Sequence, residues 1–220
     1  MKALERSETE MAPPISADSV KRKLKFDYLK IKNDPESRNL EVFSHLMSHF
    51  LRPQLSISEL MHDTCLTLQK QFRLRWVMIG LRDKSDGMYR YMFMSGMRDE
   101  AWDRQKTKSY KLEDFDPSSP GYKAGEISNI TRVYLEDENP LFNEDEKVVN
   151  RPALLRGRRK TEEETLEADF LDTLIVGSSN NLLGWIEYSG TITNRFPDPM
   201  TIRHVEIVAS ILAAAIESKR

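Results

Sequence analysis

A hairpin pattern in the last quarter of the chain constrains the fold most strongly. Two dense apolar runs, Leu171 to Val176 and Leu182 to Ser189, are separated by a turn made of Gly, Ser and Asn. Short apolar runs bounded by such turn-forming residues are typical of adjacent antiparallel strands. Leu74 to Leu81 and Met88 to Ser95 repeat this pattern around another polar turn. The sequence therefore predicts an antiparallel sheet that contains at least two hairpins.

Helical patterns lie before and after the hairpins. Apolar residues from Leu40 to Pro53 recur at helical spacing, which predicts a first helix. Ser56, with Glu59 three residues later, forms a capping-box signature for a second helix that ends near residue 71. Asp198 followed by proline predicts the start of a final helix that ends near residue 218. This order predicts an α+β domain in which helices from both ends of the sequence cover one face of a central antiparallel sheet.

The remaining segments lack a clear period. Residues 1–37 are rich in proline and charge, and such a stretch buries too little apolar surface to offset its ordering entropy. They are predicted to form a mostly disordered N-terminal arm, so the folded domain is expected to span 38–220. Residues 98–125 and 136–168 are predicted to be long connections, with a short strand between them at Ile127 to Val133.

Composition argues against several classes of protein. The net charge of −2 gives no general attraction to nucleic acid or to anionic membranes. The longest apolar run, Ile211 to Ile216, is far shorter than the roughly 20 residues needed to cross a bilayer. A single cysteine cannot form an internal disulfide, and the first residues carry no apolar signal core. The chain is predicted to be soluble and cytoplasmic, and neither a membrane nor nucleic acid is expected as a partner.

Two side-chain clusters were weighed as binding sites. Five cations lie between Arg151 and Lys160, directly before Glu162 to Glu164. They could clamp an anionic ligand, but a solvated loop whose opposite charges neutralise one another is the favoured interpretation. His45, His49 and Cys65 have side chains that suit a metal ion, yet their helical spacing points them in different directions. No metal ligand is predicted.

The end of the chain resembles a known family. The segment from Gly184 to Ser189, then Phe196 to Asp198, then an apolar helix from Ile202 to Ala215, resembles the GAF family of small-molecule sensor domains. The likeness covers about residues 40–220. It implies a central antiparallel sheet with the first two helices and the last helix on one face, and long loops that form a ligand pocket on the other. PAS-like and profilin-like sheets share enough of this pattern to remain alternatives.

The resemblance names no ligand, since GAF domains bind cyclic nucleotides, bilins, haem, oxo-acids or amino acids, or serve only as dimerising modules. Asn194 to Phe196 resembles part of the cyclic-nucleotide signature, but Pro197 and Asp198 follow where that signature has an Asp-Glu pair. Bilin attachment needs a cysteine near the pocket, and the methionine sulfoxide reductase branch needs several. Cys65 instead falls in the apolar stripe of a helix. The cofactor is left open, and no catalytic residue is predicted.

Strand alternation selects the candidate ligand-binding residues. In the last predicted strand, Leu182, Gly184, Ile186 and Tyr188 share one face, and Leu183, Trp185 and Glu187 share the other. The all-apolar face is expected to pack on helices, so Trp185 and Glu187 should face the loops. The same reasoning places Trp76 and Met78 on the loop side of the first hairpin. Because these strands are neighbours in GAF domains, the resemblance brings the four residues together as a pocket, with a closed second core as an equal alternative.

These patterns predict a GAF-like sensory or regulatory domain that binds a small molecule and is not an enzyme. The apolar arc of the final helix is wider than a sheet-covering helix needs, so the extra surface is expected to meet either the first helix of the same chain or its own copy in a dimer. A homodimer through the terminal helices is the favoured interpretation. A signal would then pass to a downstream signalling protein. The alternatives are a small enzyme that uses the same pocket, and a ligand-free dimerisation or interaction module.

Overall fold

The computed structural model of the protein describes residues 17–32, 35–50, 52, 56–116 and 121–219. They form two compact units that divide between Glu41 and Val42. The helices are α1 (Ala17–Lys32), α2 (Pro35–Phe50), α3 (Ile57–Gln71), α4 (Asp99–Gln105) and α5 (Pro199–Ser218). The strands are β1 (Val77–Arg82), β2 (Tyr89–Ser95), β3 (Ser109–Tyr110), β4 (Ala124–Glu126), β5 (Thr131–Tyr134), β6 (Phe170–Val176) and β7 (Leu182–Ser189).

Helix α1 lies in the segment that the sequence analysis assigned to a disordered arm. Its sequence is rich in Lys, Arg and Leu, which are good helix formers, and the Lys23 ammonium lies 2.6 Å from the Asp27 carboxylate one turn away. Val20, Leu24, Phe26, Tyr28 and Leu29 of this helix are exposed. Local propensity rather than burial therefore accounts for the helix. Residues 1–16 lie outside the described residues, and the domain boundary at residue 37 stays a prediction.

All seven strands join one antiparallel sheet in the order β3-β2-β1-β7-β6-β5-β4. Both predicted hairpins are confirmed as β1 with β2 and β6 with β7. The two hairpins meet at the centre of the sheet, where Ile79 lies opposite Ile186 and Met78 lies opposite Glu187. The residues that the sequence analysis selected from separate hairpins therefore lie on neighbouring strands.

The predicted α3 and α5 helices are confirmed together with their start signals. Ser56 and Glu59 make the reciprocal capping-box hydrogen bonds at the start of α3. The Asp198 side chain accepts a hydrogen bond from the Thr201 backbone N–H at the start of α5, and Pro199 occupies the first turn. Both helices begin within one residue of the predicted positions, because capping residues specify a helix start more sharply than periodicity does.

Helices α3 and α5 cover one face of the sheet. Their buried side chains and those of the central strands form a largely aliphatic cluster, hereafter the helix-side core, which includes Leu60, Cys65, Leu68, Val77, Ile79, Ile186, Val205, Val208 and Leu212. Among the described helices, α5 alone is long and apolar enough to span a membrane by length and composition. Its buried apolar residues pack in the helix-side core, as expected for the central helix of a folded domain.

The connections between the hairpins are richer in structure than predicted. Residues 98–125 contain α4, β3, a 3-10 turn at Leu112–Phe115 and β4, and residues 136–168 contain two more 3-10 turns, at Asn143–Val148 and Pro152–Leu154. Strand β5 occupies Thr131–Tyr134, later than the predicted 127–133. Elements of two to seven residues leave no periodic signal and depend on tertiary contacts, so the sequence did not reveal them.

Candidate functional site

A cavity of about 330 Å³ lies on the face of the sheet opposite the helix-side core. Residues from β2, β6 and β7 form its floor, and the segments 105–116, 121–124 and 139–149 supply walls. Its size falls at the lower end of the range for small-molecule pockets, about 300 to 1,000 Å³.

Aromatic rings gather around Trp185, which is almost fully buried. Its ring centroid lies 4.8 Å from that of Tyr91, 5.7 Å from that of Tyr110 and 5.1 Å from that of Phe115. All four residues line the cavity. A second buried cluster, hereafter the loop-side cluster, consists of Trp76, Met78, Tyr89, Tyr91, Met97, Ala101 and Trp185, and Tyr110 and Phe115 pack against it. Rings at these separations and tilted angles attract one another, so they hold this wall in place.

Gly80 creates the space that the Trp185 ring occupies. The two residues lie opposite each other on β1 and β7. A Cβ atom at position 80 would fall 2.0 Å from the Trp185 ring, far inside van der Waals contact. The missing side chain therefore lets the indole lie against the β1 backbone at the floor of the cavity.

Three charged residues form a row across the sheet. Arg132 on β5 pairs with Asp172 on β6, and Asp172 pairs with Glu187 on β7. Side chains directly opposite on antiparallel strands lie close together, so the two carboxyl groups are neighbours. Both carboxyl groups line the cavity. Two adjacent acids in a largely buried site are costly, and their surroundings determine whether they are charged.

Glu187 is 5% exposed and has a defined partner. The Tyr91 hydroxyl donates a hydrogen bond of 2.5 Å to its carboxylate. Burial raises the pKa of Glu187 to about 7, while hydrogen bonds from Tyr91 and Trp185 and the charge of Lys108 oppose that rise. Glu187 is therefore placed to change its charge near neutral pH.

Asp172 is 7% exposed, and its Oδ1 atom has no hydrogen-bond partner among the described residues. Burial, and then the neighbouring Glu187 charge, raise the pKa of Asp172 well above its ordinary value, and the charge of Arg132 opposes them. The Arg132 guanidinium itself donates to the Phe115 carbonyl oxygen. Buried polar atoms are nearly always paired, so the vacant acceptor at Asp172 marks a place where a donor would be stabilised.

Glu167 also lines the cavity, but its charge is neutralised within the protein. The Arg151 guanidinium lies 2.7 Å from the Glu167 carboxylate, and the Arg75 guanidinium lies 3.6 Å from it. The Arg151 backbone N–H also donates to the carboxylate at 2.8 Å. This carboxylate therefore fastens the 151 segment to the domain rather than facing the cavity as a free charge.

The basic cluster from Arg151 to Lys160 is more structural than the solvated loop that the sequence suggested. The Arg159 guanidinium contacts the fully buried Asp169 carboxylate at 2.8 and 3.2 Å, and Asp137 at 3.0 Å. Asp169 also accepts from the backbone N–H groups of Glu136 and Leu166. The neutralising acids are thus distant in sequence rather than the adjacent Glu162 to Glu164, which is why charge counting did not identify them.

The structure brings together three of the four predicted ligand-binding residues, since Trp76, Trp185 and Glu187 line the cavity. Met78 is fully buried in the loop-side cluster beside them and is not among the cavity-lining residues. The predicted side of the sheet, helix side or loop side, is confirmed for the side chains of β1 and for those from Trp185 to Tyr188. The ligand-binding role of the four residues stays a prediction.

The prediction was wrong at the start of β7. Leu183 packs in the helix-side core, whereas Leu182 packs against the loop-side cluster. The pairing explains this exchange, because Ile175 lies opposite Gly184 and Val176 lies opposite Leu182, which leaves Leu183 as an extra residue. A bulge of this kind reverses the alternation that simple strand counting assumes.

Sequence reasoning missed Asp172 and expected no pair of acids in the pocket. A partial signal was present, because Asp172 is the one charged residue in the predicted strand Leu171 to Val176. Extending the hairpin evenly from its turn places Asp172 opposite Ile186, however, and only the extra residue Leu183 shifts it opposite Glu187. Tyr91 and Tyr110 were also missed, and the short β3 that carries Tyr110 has no recognisable pattern.

Comparison with known proteins finds relatives by structure and not by sequence. No protein-family model matches the sequence. No curated protein matches it either. Among solved structures, the GAF domain of an Acinetobacter phosphoenolpyruvate-protein phosphotransferase is 13% identical with a TM-score of 0.51, over 81% of this chain and 92% of that chain.

Two further structures extend the comparison. A bacteriophytochrome from R. palustris is 13% identical with a TM-score of 0.51, over 84% of this chain and 38% of that chain. A free methionine-R-sulfoxide reductase from Neisseria meningitidis, in complex with its substrate, is 12% identical with a TM-score of 0.52, over 84% of this chain and 92% of that chain. The similar structures therefore include a GAF domain, a bacteriophytochrome and a reductase. At these identities the likeness establishes the fold alone, and the seven-stranded antiparallel sheet with its covering helices is a GAF-domain fold.

Proposed function

We propose that this protein is a sensory or regulatory domain whose loop-side cavity binds a small molecule. The observation that carries the proposal is a cavity of about 330 Å³ that contains a buried carboxylate with an unpartnered oxygen. A closed second core would gain by filling this space and by replacing Asp172 with an apolar residue. Similarity to GAF domains and to a bacteriophytochrome supports a sensory role.

A sensory role is favoured over the reductase activity of the Neisseria relative. Cys65 is the single cysteine of the chain and is fully buried in the helix-side core, on the other face of the sheet. Burial also raises the pKa of the Cys65 thiol well above its ordinary value, so the reactive thiolate is disfavoured. Thiol chemistry at the cavity therefore has no support.

An exposed stripe on α5 supports the proposed homodimer. Ile207 is 48% exposed, and the exposed Ala214 lies two turns further along the same helix. Small and apolar residues at this spacing allow a second helix to approach closely. Such a dimer, in the cytoplasm, would pass a ligand-dependent change to a downstream signalling protein. Sedimentation of the wild-type chain and of Ile207→Glu tests this, with a monomeric wild-type chain as the contrary result.

Native mass spectrometry of the purified full chain tests the ligand proposal. Ala124 lines the cavity, and Ala124→Trp should fill it without altering its charge. We expect a small-molecule mass that dissociates on denaturation, is lost in Ala124→Trp, and is kept in Ala153→Trp, because Ala153 is exposed and does not line the cavity. A bound mass that Ala124→Trp leaves unchanged would contradict binding at this site.

A further inference from the structure

The charges around the cavity are unbalanced. The acidic residues that line it are Asp114, Asp116, Glu167, Asp172 and Glu187, and Lys108 is the one basic residue among the described lining residues. Glu167 is neutralised by arginines, and the Asp114 carboxylate accepts the backbone N–H of Lys111. Lys108 lies 3.8 Å from the Asp145 carboxylate, so part of its charge is directed elsewhere. Arg132 does not line the cavity but lies opposite Asp172, and its charge offsets part of that of Asp172. Asp172 and Glu187 outnumber this one guanidinium, so the site carries an excess of negative charge when both carboxyl groups are ionised.

We propose that the ligand of this cavity is a small organic cation, an ammonium group attached to an apolar body, held by the Asp172 and Glu187 carboxylates. This inference rests on the proposed function, whose cavity it uses. The unpartnered Asp172 Oδ1 atom is an acceptor without a donor, and an ammonium group supplies donors together with a compensating charge. A cation beside both carboxylates also removes the cost of placing two acids side by side in a buried site.

The walls of the cavity favour an organic cation over an inorganic one. Trp185, Tyr91, Tyr110 and Phe115 present rings, and a cation or an apolar body is stabilised against such faces. A divalent metal ion would need several hard oxygen or nitrogen ligands from the protein. The described part of the chain holds no group of three or more His, Cys, Asp or Glu side chains arranged to bind a metal.

Binding of such a cation is coupled to a proton. In the empty site the carboxyl pair retains a proton at neutral pH, since burial raises both pKa values and the Glu187 charge raises that of Asp172 further. The incoming ammonium favours the doubly ionised pair, so that proton is released to solvent, and no other bond forms or breaks. The other charged or titratable groups on this face of the sheet and in the cavity walls are Tyr89 and Tyr91 on β2, Lys108 and Tyr110 at β3, Asp114 and Asp116 after it, Tyr122 before β4, Arg132 and Tyr134 on β5, and Glu167. Burial raises the pKa of each of these tyrosines above 10, so the tyrosines stay protonated between pH 5 and 8.

Three probes of similar size separate charge from shape. They are 2-phenylethylammonium, 2-phenylethanol and phenylacetate, which carry a positive, a neutral and a negative group on the same ring. Calorimetric titration of the full chain at pH 7 should show at least tenfold tighter binding of the ammonium than of the alcohol, and the weakest binding for phenylacetate. The ammonium affinity should rise between pH 5 and 8. Its apparent enthalpy should differ between phosphate and Tris buffers, because a proton is released.

Variants assign this preference to the carboxyl pair. Asp172→Asn should lower the ammonium affinity to that of the alcohol, and Glu187→Gln should lower it in the same direction. Glu113→Gln is the matched control, because Glu113 is exposed and does not line the cavity, so it should change the affinity less than twofold. Using two variants keeps the test decisive if one of them fails to fold.

The outcomes distinguish this inference from the proposed function. If the ammonium and the alcohol bind equally and Ala124→Trp abolishes both, the proposal of a cationic ligand is overturned. The proposal of a ligand-binding cavity would then still stand. Preference for phenylacetate would overturn the proposal of a cationic ligand in the same way. Absence of binding by all three probes also overturns the inference, whereas the proposed function is then decided separately by the mass bound to the wild-type and Ala124→Trp chains.

Discussion

The two faces of the sheet are built from the same strands and have opposite character. On the side of α3 and α5, Ile79 and Ile186 enter an almost wholly aliphatic cluster in which residues such as Leu60 and Leu68 are fully buried. On the loop side, the adjacent Trp185 and Glu187 join aromatic rings, two carboxyl groups and an unfilled cavity. One residue along β7 therefore separates close packing from a polar site.

The two faces contribute differently to stability: the helix side is closely packed, and the loop side contains the cavity of the candidate site. The helix-side core contributes apolar burial, which is the dominant favourable term in folding. Polar groups buried on that side, such as Thr131 and Tyr188, have hydrogen-bond partners in Glu206 and Thr173. The loop side has empty volume and an unpartnered oxygen, both of which reduce stability in the absence of a ligand. A well-packed core on the other face allows the domain to tolerate these costs, as the proposed binding site requires.

The largest expected difference between the faces concerns packing. Leu212→Ala removes a fully buried side chain from the helix-side core and should lower the free energy of unfolding by about 2 to 5 kcal/mol. Phe115→Ala removes a half-buried ring at the cavity wall and should cost less than half as much, because space already exists there. Urea unfolding of both variants measures this. Equal losses would show that the loop side is packed as tightly as the helix side.

The next effect is a pH dependence that only the loop side should produce. Burial raises the pKa of Glu187 to about 7 in the folded protein, so the native state binds a proton more tightly than the unfolded chain. Its contribution to stability is therefore fully present below about pH 4 and is lost as the pH rises through about 7. We expect the free energy of unfolding to fall with pH by on the order of 3 kcal/mol more in the wild type than in Glu187→Gln.

The control for this pH dependence is Glu113→Gln, which removes an exposed carboxylate and should keep the wild-type slope. Chemical unfolding at pH 4.5, 6 and 8 gives the three curves. Parallel curves for the wild type and Glu187→Gln would contradict a buried acid with a raised pKa.

Cys65 tests whether the helix-side core is closely packed and closed to solvent. Cys65→Ser places a hydroxyl in a fully buried apolar site and should destabilise the protein by roughly 1 to 3 kcal/mol without changing binding at the cavity. Cys65→Ala separates the cost of the hydroxyl from the cost of lost volume, and should be the milder change. Reaction of a thiol reagent with the native protein should be slow. Rapid labelling would show that this core is open to solvent.

The smallest expected effect concerns one hydrogen bond in the cavity. Tyr91→Phe removes the hydroxyl that donates to Glu187, and should cost about 1 kcal/mol at pH 8, where the carboxylate is charged. Losing this donor should also raise the pKa of Glu187 further, since the bond favours the charged form. Carbon NMR of the Glu187 carboxyl group against pH reads this directly. An unchanged titration would mean that the hydroxyl does not reach the carboxylate in solution.

The sequence predicted the elements that carry their own signals. Ser56 and Asp198 specify helix starts through local hydrogen bonds, and turn-forming residues specify both hairpins. Alternation then placed Trp76 and Trp185 on the loop side, because each pattern is read from residues a few positions apart. The fold class followed from the order of these elements.

What the sequence did not reveal depends on contacts between distant segments. The Arg159 guanidinium donates to the Asp169 carboxylate across a folded loop. The Tyr110 ring, on a strand of two residues, packs near the Trp185 ring. The bulge at Leu183 depends on how β6 pairs, and single-strand alternation does not report it. The pairing of Asp172 with Glu187 depends on the same bulge, because an even hairpin would place Asp172 opposite Ile186.

The contact between Gly80 and Trp185 has a consequence for how this protein can diverge. Because the indole occupies the volume that a side chain at position 80 would need, the two positions share one space and are not free to change independently. In related chains, a larger residue at position 80 should appear together with a smaller residue at position 185. Such a pair would move side-chain volume from β7 to β1 and change the shape of the cavity floor. Two substitutions at these positions could therefore change which ligand the proposed site accepts.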